Sequence, residues 1–349
     1  MKHALIVFLI AGARVAAAQW SPQQSGTNAE FRGLSAVSGL VAWASGTRGR
    51  VAHTSDGGKT WKIDTVPGAG SLDLRAIFAT NGRRVWAMSA GLADSGQAQI
   101  FHTEDGINWS RQFNSAEKGV FLDAIAFWDN DHGIALSDPA DGKLFVLVTD
   151  DGGKGWSRVP PDRAPAVLPG EGGFAASGTC LIVQGKSNAW IGTGGAAKAR
   201  VFRSTDRGRT WTVADTPIHA GNPASGIFSV AFSDAMHGVV VGGEYTKPKQ
   251  AFDNVAVTTD GGMTWRLARG PMPPGFMSGV DFVPGTSGRS LVAVGLAGTA
   301  RSDDAGESWT MIDSVAYNSV AFVTHDDGWA VGPRGRIAKW TPTLPVRKP

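Results

Sequence analysis

One short pattern recurs six times along this chain of 349 residues and constrains its fold more than any other feature. It consists of a Thr or Ser two residues before an Asp, then a Gly, and finally a Trp, as in the first copy from Thr54 to Trp61. Successive Trp residues lie 48, 47, 55, 54 and 44 positions apart. A period near 50, with room for four short strands in each unit, is typical of the blades of a β-propeller. The Asp and Trp residues of the six copies are Asp56 and Trp61, Asp105 and Trp109, Asp151 and Trp156, Asp206 and Trp211, Asp260 and Trp265, and Asp304 and Trp309.

The chemistry of this pattern is local. We expect the Asp to accept hydrogen bonds from backbone N–H groups of the turn that follows it, as short polar side chains do in Asx turns. The Gly permits a positive φ, and the Trp packs the next strand into its blade. The second copy is one residue shorter, between Asp105 and Trp109, so its turn should be tighter. Because one active site needs one constellation, six equivalent carboxylates indicate architecture and not catalysis.

The two ends of the chain determine the number of blades. Residues 317–340 supply three strands of a further unit that has no Asp turn, while Trp20-Ser-Pro-Gln resembles the Trp61-Lys-Ile-Asp strand of the next blade. Pairing these ends removes a free sheet edge. We therefore predict an all-β, seven-bladed β-propeller of four-stranded antiparallel blades over residues 19–341, with an N-terminal strand near 19–24 completing the last blade, 316–341.

The first 18 residues resemble a secretory signal peptide. Lys2 and His3 precede an apolar run from Ala4 to Gly12, and Ala16 to Ala18 offer a cleavage site. The run is too short to span a bilayer, so we expect an exported, periplasmic or secreted protein with no transmembrane segment in the mature chain. Residues 342–349 are predicted to form a C-terminal tail. The single cysteine, Cys180, lies in an apolar run and is expected to be buried and inert.

Several classes of partner and cofactor find no support in the sequence. The net charge is only +3 and no basic run exists, so nucleic acid is not an expected partner. The seven His residues lack metal-ligand spacing, and no nucleotide-binding glycine motif or haem attachment motif is present. We therefore expect a monomer without a metal or another cofactor.

The repeated pattern, together with Gly46-Thr-Arg48-Gly49-Arg50, Gly332-Pro-Arg-Gly335-Arg336-Ile337 and Trp-Ala-x-Gly, resembles the photosystem II assembly/stability factor-like propeller family. More distantly, it resembles the Asp-box (BNR) propellers that include sialidases. The resemblance covers residues 19–341. It implies an assembly factor that holds a membrane protein precursor on a basic face, as family members do in photosynthetic organisms.

Function in ring folds gathers on the face that carries the longer loops. In a four-stranded blade, the loops between strands two and three and the loops between blades leave the ring on the same face, opposite to the Asp turns. We call it the loop-rich face. Six arginines are predicted there as a patch for an anion or an acidic peptide, because Arg offers planar, bidentate donors. A solvated basic edge is an equally open interpretation. These arginines are Arg32, Arg48, Arg50, Arg75, Arg334 and Arg336.

A second set of candidates comes from inner strands and long loops near the same tunnel mouth. A carboxylate pair among them would suit glycoside hydrolysis or Ca²⁺ binding, although solvated loop acids are the simpler interpretation. These candidates are Asp123, Asp138, Asp141, His219, Glu244 and Tyr245.

Three functions follow from these features. The first is an exported, non-catalytic scaffold that binds a protein partner on the loop-rich face. The second is a sialidase-like glycoside hydrolase at the tunnel mouth, although the chain has no Phe/Tyr-Arg-Ile-Pro segment near its N-terminus. The third is an oxidoreductase with a cofactor in the tunnel, a label that some similar sequences sharing Ser177-Gly-Thr-Cys180 carry.

Overall fold

The computed structural model describes residues 19–341, so the proposed signal peptide and C-terminal tail lie outside the described residues. Seven four-stranded antiparallel sheets form a ring around one axis, which confirms the predicted fold class. Strand β1 covers Trp20–Gln23. Blade 1 contains β2 (Phe31–Ala36), β3 (Ala42–Gly46), β4 (Arg50–Thr54) and β5 (Lys62–Thr65), and blade 2 contains β6 (Asp73–Ala79), β7 (Val85–Ala90), β8 (Gln99–Thr103) and β9 (Trp109–Asn114).

The other five blades repeat this order, with the first strand innermost and the fourth outermost. Blade 3 contains β10 (Leu122–Phe127), β11 (Gly133–Ala140), β12 (Lys143–Thr149) and β13 (Ser157–Arg158); blade 4 contains β14 (Leu181–Gln184), β15 (Asn188–Gly192), β16 (Arg200–Ser204) and β17 (Thr212–Asp215). Blade 5 contains β18 (Ser225–Phe232), β19 (Gly238–Glu244), β20 (Val255–Thr258) and β21 (Arg266–Leu267); blade 6 contains β22 (Gly279–Phe282), β23 (Leu291–Gly295), β24 (Gly298–Ser302) and β25 (Thr310–Asp313). Blade 7 contains β26 (Ser319–Phe322), β27 (Gly328–Val331) and β28 (Ile337–Trp340). Within residues 19–341, no helix has the length and apolar character needed to cross a membrane.

The core lies between the blades because both faces of each sheet are covered by neighbours. The second strands β3 and β7 are buried along their whole length. Trp86 of blade 2 stacks on Phe127 of blade 3 with ring centroids 3.9 Å apart, and Trp190 of blade 4 stacks on Phe232 of blade 5 at 3.8 Å. Full burial of a side chain of this kind stabilises the fold by about 1.5–3 kcal/mol. These aromatic pairs therefore hold adjacent blades together.

The ring closes through its two chain ends, as predicted. Strand β1 is the outermost strand of blade 7 and pairs with β28 in the register Trp20↔Trp340. The two indole rings pack edge to face with centroids 5.0 Å apart, and the N–H of Thr341 donates to the carbonyl of Gln19 at 2.8 Å. Pro22 is tolerated because an outer strand can turn the missing N–H position towards solvent.

The Asp turns form the hydrogen bonds that the sequence predicts. In the first turn, Asp56 Oδ1 accepts the N–H of Thr60 at 3.0 Å, and Thr54 Oγ1 accepts the N–H of Gly58 at 2.9 Å. In the shorter second turn, the N–H that bonds to Thr103 Oγ1 belongs to Gly106, one residue earlier than in the first turn. These bonds satisfy the carboxylates locally and give them a structural role.

The buried hydroxyl of Thr54 provides a test of the Asp turns. Thr54→Val removes the acceptor of the Gly58 N–H inside a buried turn, so the free energy of unfolding should fall by about 1–3 kcal/mol. Equilibrium unfolding in urea measures this change. Thr54→Ser keeps the hydroxyl and should lose clearly less stability than Thr54→Val; equal losses in the two variants would contradict the assigned role.

Candidate functional site

The first strands of four blades contain a β-bulge at the same position. The register slips between Phe31 and Gly33, between Leu74 and Ala76, between Leu122 and Ala124, and between Ile227 and Ser229. A β-bulge redirects the side chain of the extra residue. The four extra residues are Arg32, Arg75, Asp123 and Phe228, and all four line one cavity where the inter-blade loops enter the first strands.

This mouth cavity has a volume of about 350 Å³ and is lined by first-strand residues of blades 1, 2, 3 and 5 and by residues of the segments that lead into blades 4, 6 and 7. One side is aromatic and centres on Phe228. The ring of Phe174 stacks on it at 3.8 Å, and the rings of Phe276 and Tyr245 approach it edge to face at 4.6 and 6.2 Å. The other side carries charged groups, so the cavity combines an apolar wall with ionisable side chains.

A segment that leads into blade 4 forms the floor of the cavity. The carbonyl of Ser177 accepts a hydrogen bond from Ser319 of blade 7 at 3.3 Å, and the hydroxyl of Thr179 lies 2.7 Å from that of Ser229 in blade 5. Between them, Gly178 lies against Ala76 of blade 2, where an added Cβ would be 3.3 Å away. A ligand that enters from the loop-rich face therefore meets this floor.

Glu171 anchors the same segment to blade 4. Its carboxylate is buried and pairs with Arg200, whose Nε donates to Oε1 at 2.9 Å. The hydroxyl of Thr193 donates to Oε1 at 2.7 Å, and the N–H of Leu168 donates to Oε2 at 2.8 Å. Both carboxylate oxygens are fully used, which makes Glu171 a structural residue.

Asp123 and Asp138 form the acidic part of the cavity. Asp123 is only 1% exposed, and among residues 19–341 its Oδ2 has no hydrogen-bond partner. Burial raises the pKa of Asp123 well above its ordinary value, nearby Asp138 adds to the rise, and Arg75 opposes it. Burial also raises the pKa of Asp138 to about 6, against the opposing effect of the Gly173 N–H. The pair therefore retains a proton at pH values where exposed aspartates are ionised.

Gly172 and Gly173 lie against the carboxyl groups of Asp138 and Asp123 and leave no room for a side chain at either glycine. An added Cβ on Gly172 would lie 2.4 Å from Asp138 Oδ1, and one on Gly173 would lie 2.8 Å from the Asp123 carboxyl carbon. Real Cβ contacts are never this short. The backbone of the floor segment thus packs directly on both carboxyl groups.

The structure divides the six predicted arginines into groups. Arg32 and Arg75 lie in the cavity, where Arg32 Nη2 pairs with Glu30 at 2.5 Å and Arg75 Nε pairs with Asp73 at 2.7 Å. Burial lowers the pKa of Arg32. Each cavity arginine is therefore partly neutralised by a carboxylate two residues earlier in the chain.

Arg48 and Arg334 lie at the exposed tips of two equivalent hairpins in blades 1 and 7. Their φ values are 62° and 59°, and the glycines that follow have φ values of 63° and 72°, which is the pattern of a type I′ turn. Arg50 is half-buried at the start of β4. Arg336 is half-buried and packs over the ring of Tyr317, 5.8 Å from its centroid. Of the six predicted arginines, Arg48 and Arg334 are exposed, and the other four are half-buried.

Three residues of the second set of candidates, Asp141, His219 and Glu244, do not line the cavity. Asp141 is exposed at the tip of the β11–β12 hairpin, 4.0 Å from Arg158. Hydrogen bonds from Lys247 and Thr246 lower the pKa of Glu244 to about 2, and His219 lies 3.5 Å from the same carboxylate. Asp141 lies at a hairpin tip and Glu244 is held in a local ion pair with Lys247, so neither carboxylate lines the cavity beside Asp123. Tyr245 is 47% exposed and lines the cavity.

Sequence reasoning missed the aromatic wall. The signal for Phe228 is an apolar–x–small–apolar pattern at the start of inner strands, in which x is the bulged residue. The four copies are Phe31-Arg32-Gly33-Leu34, Leu74-Arg75-Ala76-Ile77, Leu122-Asp123-Ala124-Ile125 and Ile227-Phe228-Ser229-Val230. Phe174 and Phe276 precede their strands and show no such pattern.

The thiol of Cys180 and the arrangement of possible metal ligands bear on the chemistry that the site can perform. Cys180 is fully buried, and burial raises the pKa of its thiol, which disfavours the nucleophilic thiolate. In the described part of the chain, no group of three or more His, Cys, Asp or Glu side chains is placed to hold a metal ion.

Comparison with known proteins identifies the architecture. No protein-family model and no curated protein matches the chain. Among solved structures, YCF48 bound to D1 peptide is similar with a TM-score of 0.66 and 17% identity, covering 95% of this chain and 97% of that one. YCF48 from Cyanidioschyzon merolae gives 0.63 and 18%, covering 93% and 99%. The GH74 xyloglucanase from Xanthomonas campestris gives 0.61 and 16%, covering 92% of this chain but 53% of that one. At these identities the likeness is one of fold alone, and it agrees with the seven-bladed β-propeller that the sheets of this chain form.

Proposed function

We propose that this chain is an exported, non-catalytic scaffold of the Asp-box type that binds a protein partner on its loop-rich face. The observation that carries the proposal is the pair of exposed arginines, Arg48 and Arg334, in left-handed turns. A residue with a Cβ in this conformation costs about 1 kcal/mol, and Gly or Asn would suit it better. Because function is a common reason to retain such strain, this position favours a role in recognition.

The two arginine turns belong to one rigid rim. The N–H of Gly335 donates to the carbonyl of Ala29, and the N–H of Phe31 donates to the carbonyl of Gly332 at 3.2 Å. These bonds join blade 7 to blade 1 and fix the two hairpins relative to each other. Guanidinium groups on such a rim suit the carboxylates of an acidic segment. The solved YCF48 bound to D1 peptide supports the proposal, since a ring of this fold there binds a peptide.

Replacement of both rim arginines tests the proposal. Asn accepts the left-handed conformation more readily than Arg, so the double variant Arg48→Asn/Arg334→Asn should melt at the wild-type temperature or above. From an extract of the native host, it should nevertheless capture at least tenfold less partner than the wild-type protein does. Quantitative pull-down with thermal melting of each variant measures both effects.

Arg207 offers a matched control because it also has a positive φ, of 60°, but lies in the Asp turn of blade 4 on the opposite face. Arg207→Asn should leave partner capture unchanged. The proposal fails if the rim variant captures every partner of the wild type, or if Arg207→Asn reduces capture equally.

Glycoside hydrolysis is a second candidate because of the acid pair. A hydrolase of this class needs one protonated and one ionised carboxyl group across the scissile bond, and the raised pKa values of Asp123 and Asp138 are compatible with that division. A xyloglucanase also shares the fold.

Hydrolysis of xyloglucan oligosaccharides and of an aryl sialoside separates the two functions. For a scaffold, the wild-type protein should release no more product than Asp138→Asn. A hydrolase would instead lose about 10²-fold or more of its rate in Asp138→Asn. Asp141→Asn, which alters an exposed carboxylate outside the cavity, should keep that rate. Turnover that disappears only in the cavity variant would overturn the scaffold proposal.

A further inference from the structure

We infer that the mouth cavity binds an organic cation, a protonated amine or a guanidinium on a short apolar body. The charged head would contact Asp123 and Asp138, and the body would pack on the aromatic wall around Phe228. This site goes beyond the proposed partner surface and does not depend on Arg48 or Arg334.

One carboxylate oxygen of Asp123 lacks a hydrogen-bond partner within residues 19–341. Nearly all buried polar atoms in proteins have a hydrogen-bond partner, and an exception requires an explanation. Asp123 Oδ2 is buried without one among residues 19–341, and its side chain lines the cavity. The β-bulge at this position directs the carboxyl group there. A donor from a ligand would complete its hydrogen bonding.

Carboxyl groups outnumber the cations around Asp123 and Asp138 within residues 19–341. Asp123 on β10 faces Asp138 on β11 and Arg75 on β6, with the protonated thiol of Cys180 buried nearby. Arg75 is already bonded to Asp73, and Arg32, the other arginine of the cavity, is bonded to Glu30. Two guanidinium groups therefore stand against four carboxyl groups. Asp123 and Asp138 are the two left without a bonded cation.

The aromatic wall opposite the acid pair and the volume of the cavity both suit an organic cation. Phe228 is packed by Phe174, Phe276 and Tyr245, and aromatic faces attract ammonium and guanidinium groups. A volume of about 350 Å³ is at the small end for ligand sites, enough for an amine with a short aliphatic or aromatic body. A lysine or arginine side chain of a partner presents the same chemistry.

The acid pair gives binding a defined pH dependence. In the empty cavity, burial raises the pKa of Asp138 to about 6, whereas the cation binds the ionised form. Binding must therefore release protons, and affinity should rise with pH. Ionisation of one group with this pKa increases affinity about tenfold between pH 5 and pH 7.5.

Calorimetric titration of the full chain with phenethylammonium tests the inference. The expected result is binding with proton release, about tenfold tighter at pH 7.5 than at pH 5, and at least tenfold weaker in Asp123→Asn and Asp138→Asn. Asp141→Asn should bind like the wild type. Phenethyl alcohol has the same body without the charge. It should bind the wild-type protein at least tenfold more weakly than the amine, and this comparison does not depend on the folding of a variant.

A second probe distinguishes the source of the cation. It is a capped pentapeptide with one central lysine. Tighter binding of phenethylammonium assigns the cavity to a small molecule, whereas tighter binding of the peptide assigns it to a side chain of a partner. The inference is overturned if neither probe binds, if the alcohol binds as tightly as the amine, or if only inorganic phosphate binds. Capture of a partner through Arg48 and Arg334 would be unaffected by that failure.

Discussion

The pairing of β1 with β28 is the constraint on which the rest of this structure depends. It supplies the fourth strand of blade 7, buries Trp20 against Trp340 and removes the edges that an open arrangement of sheets would expose. Once the ring is closed, the first strands of all seven blades surround one axis. The mouth cavity exists only because distant parts of the chain are held at fixed positions around this axis.

Within this ring, architecture and recognition use different residues. The buried Trp residues and the Asp turns repeat from blade to blade, because each blade must pack against similar neighbours. The bulged position of the first strand changes its chemistry, from arginine in blades 1 and 2 to Asp123 in blade 3 and Phe228 in blade 5. The mouth cavity therefore obtains its mixed character from one position of a repeated unit, whereas the partner site that we propose uses Arg48 and Arg334 on the outer rim.

The sequence predicts the features that repeat. The blade count, the closure through Trp20 and the bonding of Asp56 follow from periodic, local patterns, and Arg32, Arg75 and Asp123 could be placed near the mouth because they begin inner strands. The floor segment around Ser177 could not be placed, since its contacts join residues far apart in the chain and follow no period. The positions of Asp141 and Glu244 outside the cavity could not be predicted for a related reason. A hairpin tip and the ion pair with Lys247 decide their directions, and neither leaves a signal in sequence spacing.

Closure of the ring can be measured directly by disulfide trapping between Pro22 and Ala338. The Thr341–Gln19 hydrogen bond makes Pro22 and Ala338 a pair without mutual backbone bonds, in which opposite Cα atoms approach to about 4.5 Å, within disulfide range. The double variant Pro22→Cys/Ala338→Cys should form an intrachain disulfide on mild oxidation and melt at a higher temperature oxidised than reduced, whereas Pro22→Cys alone should do neither. Thiols that stay free, or only disulfides between chains, would contradict the closed ring.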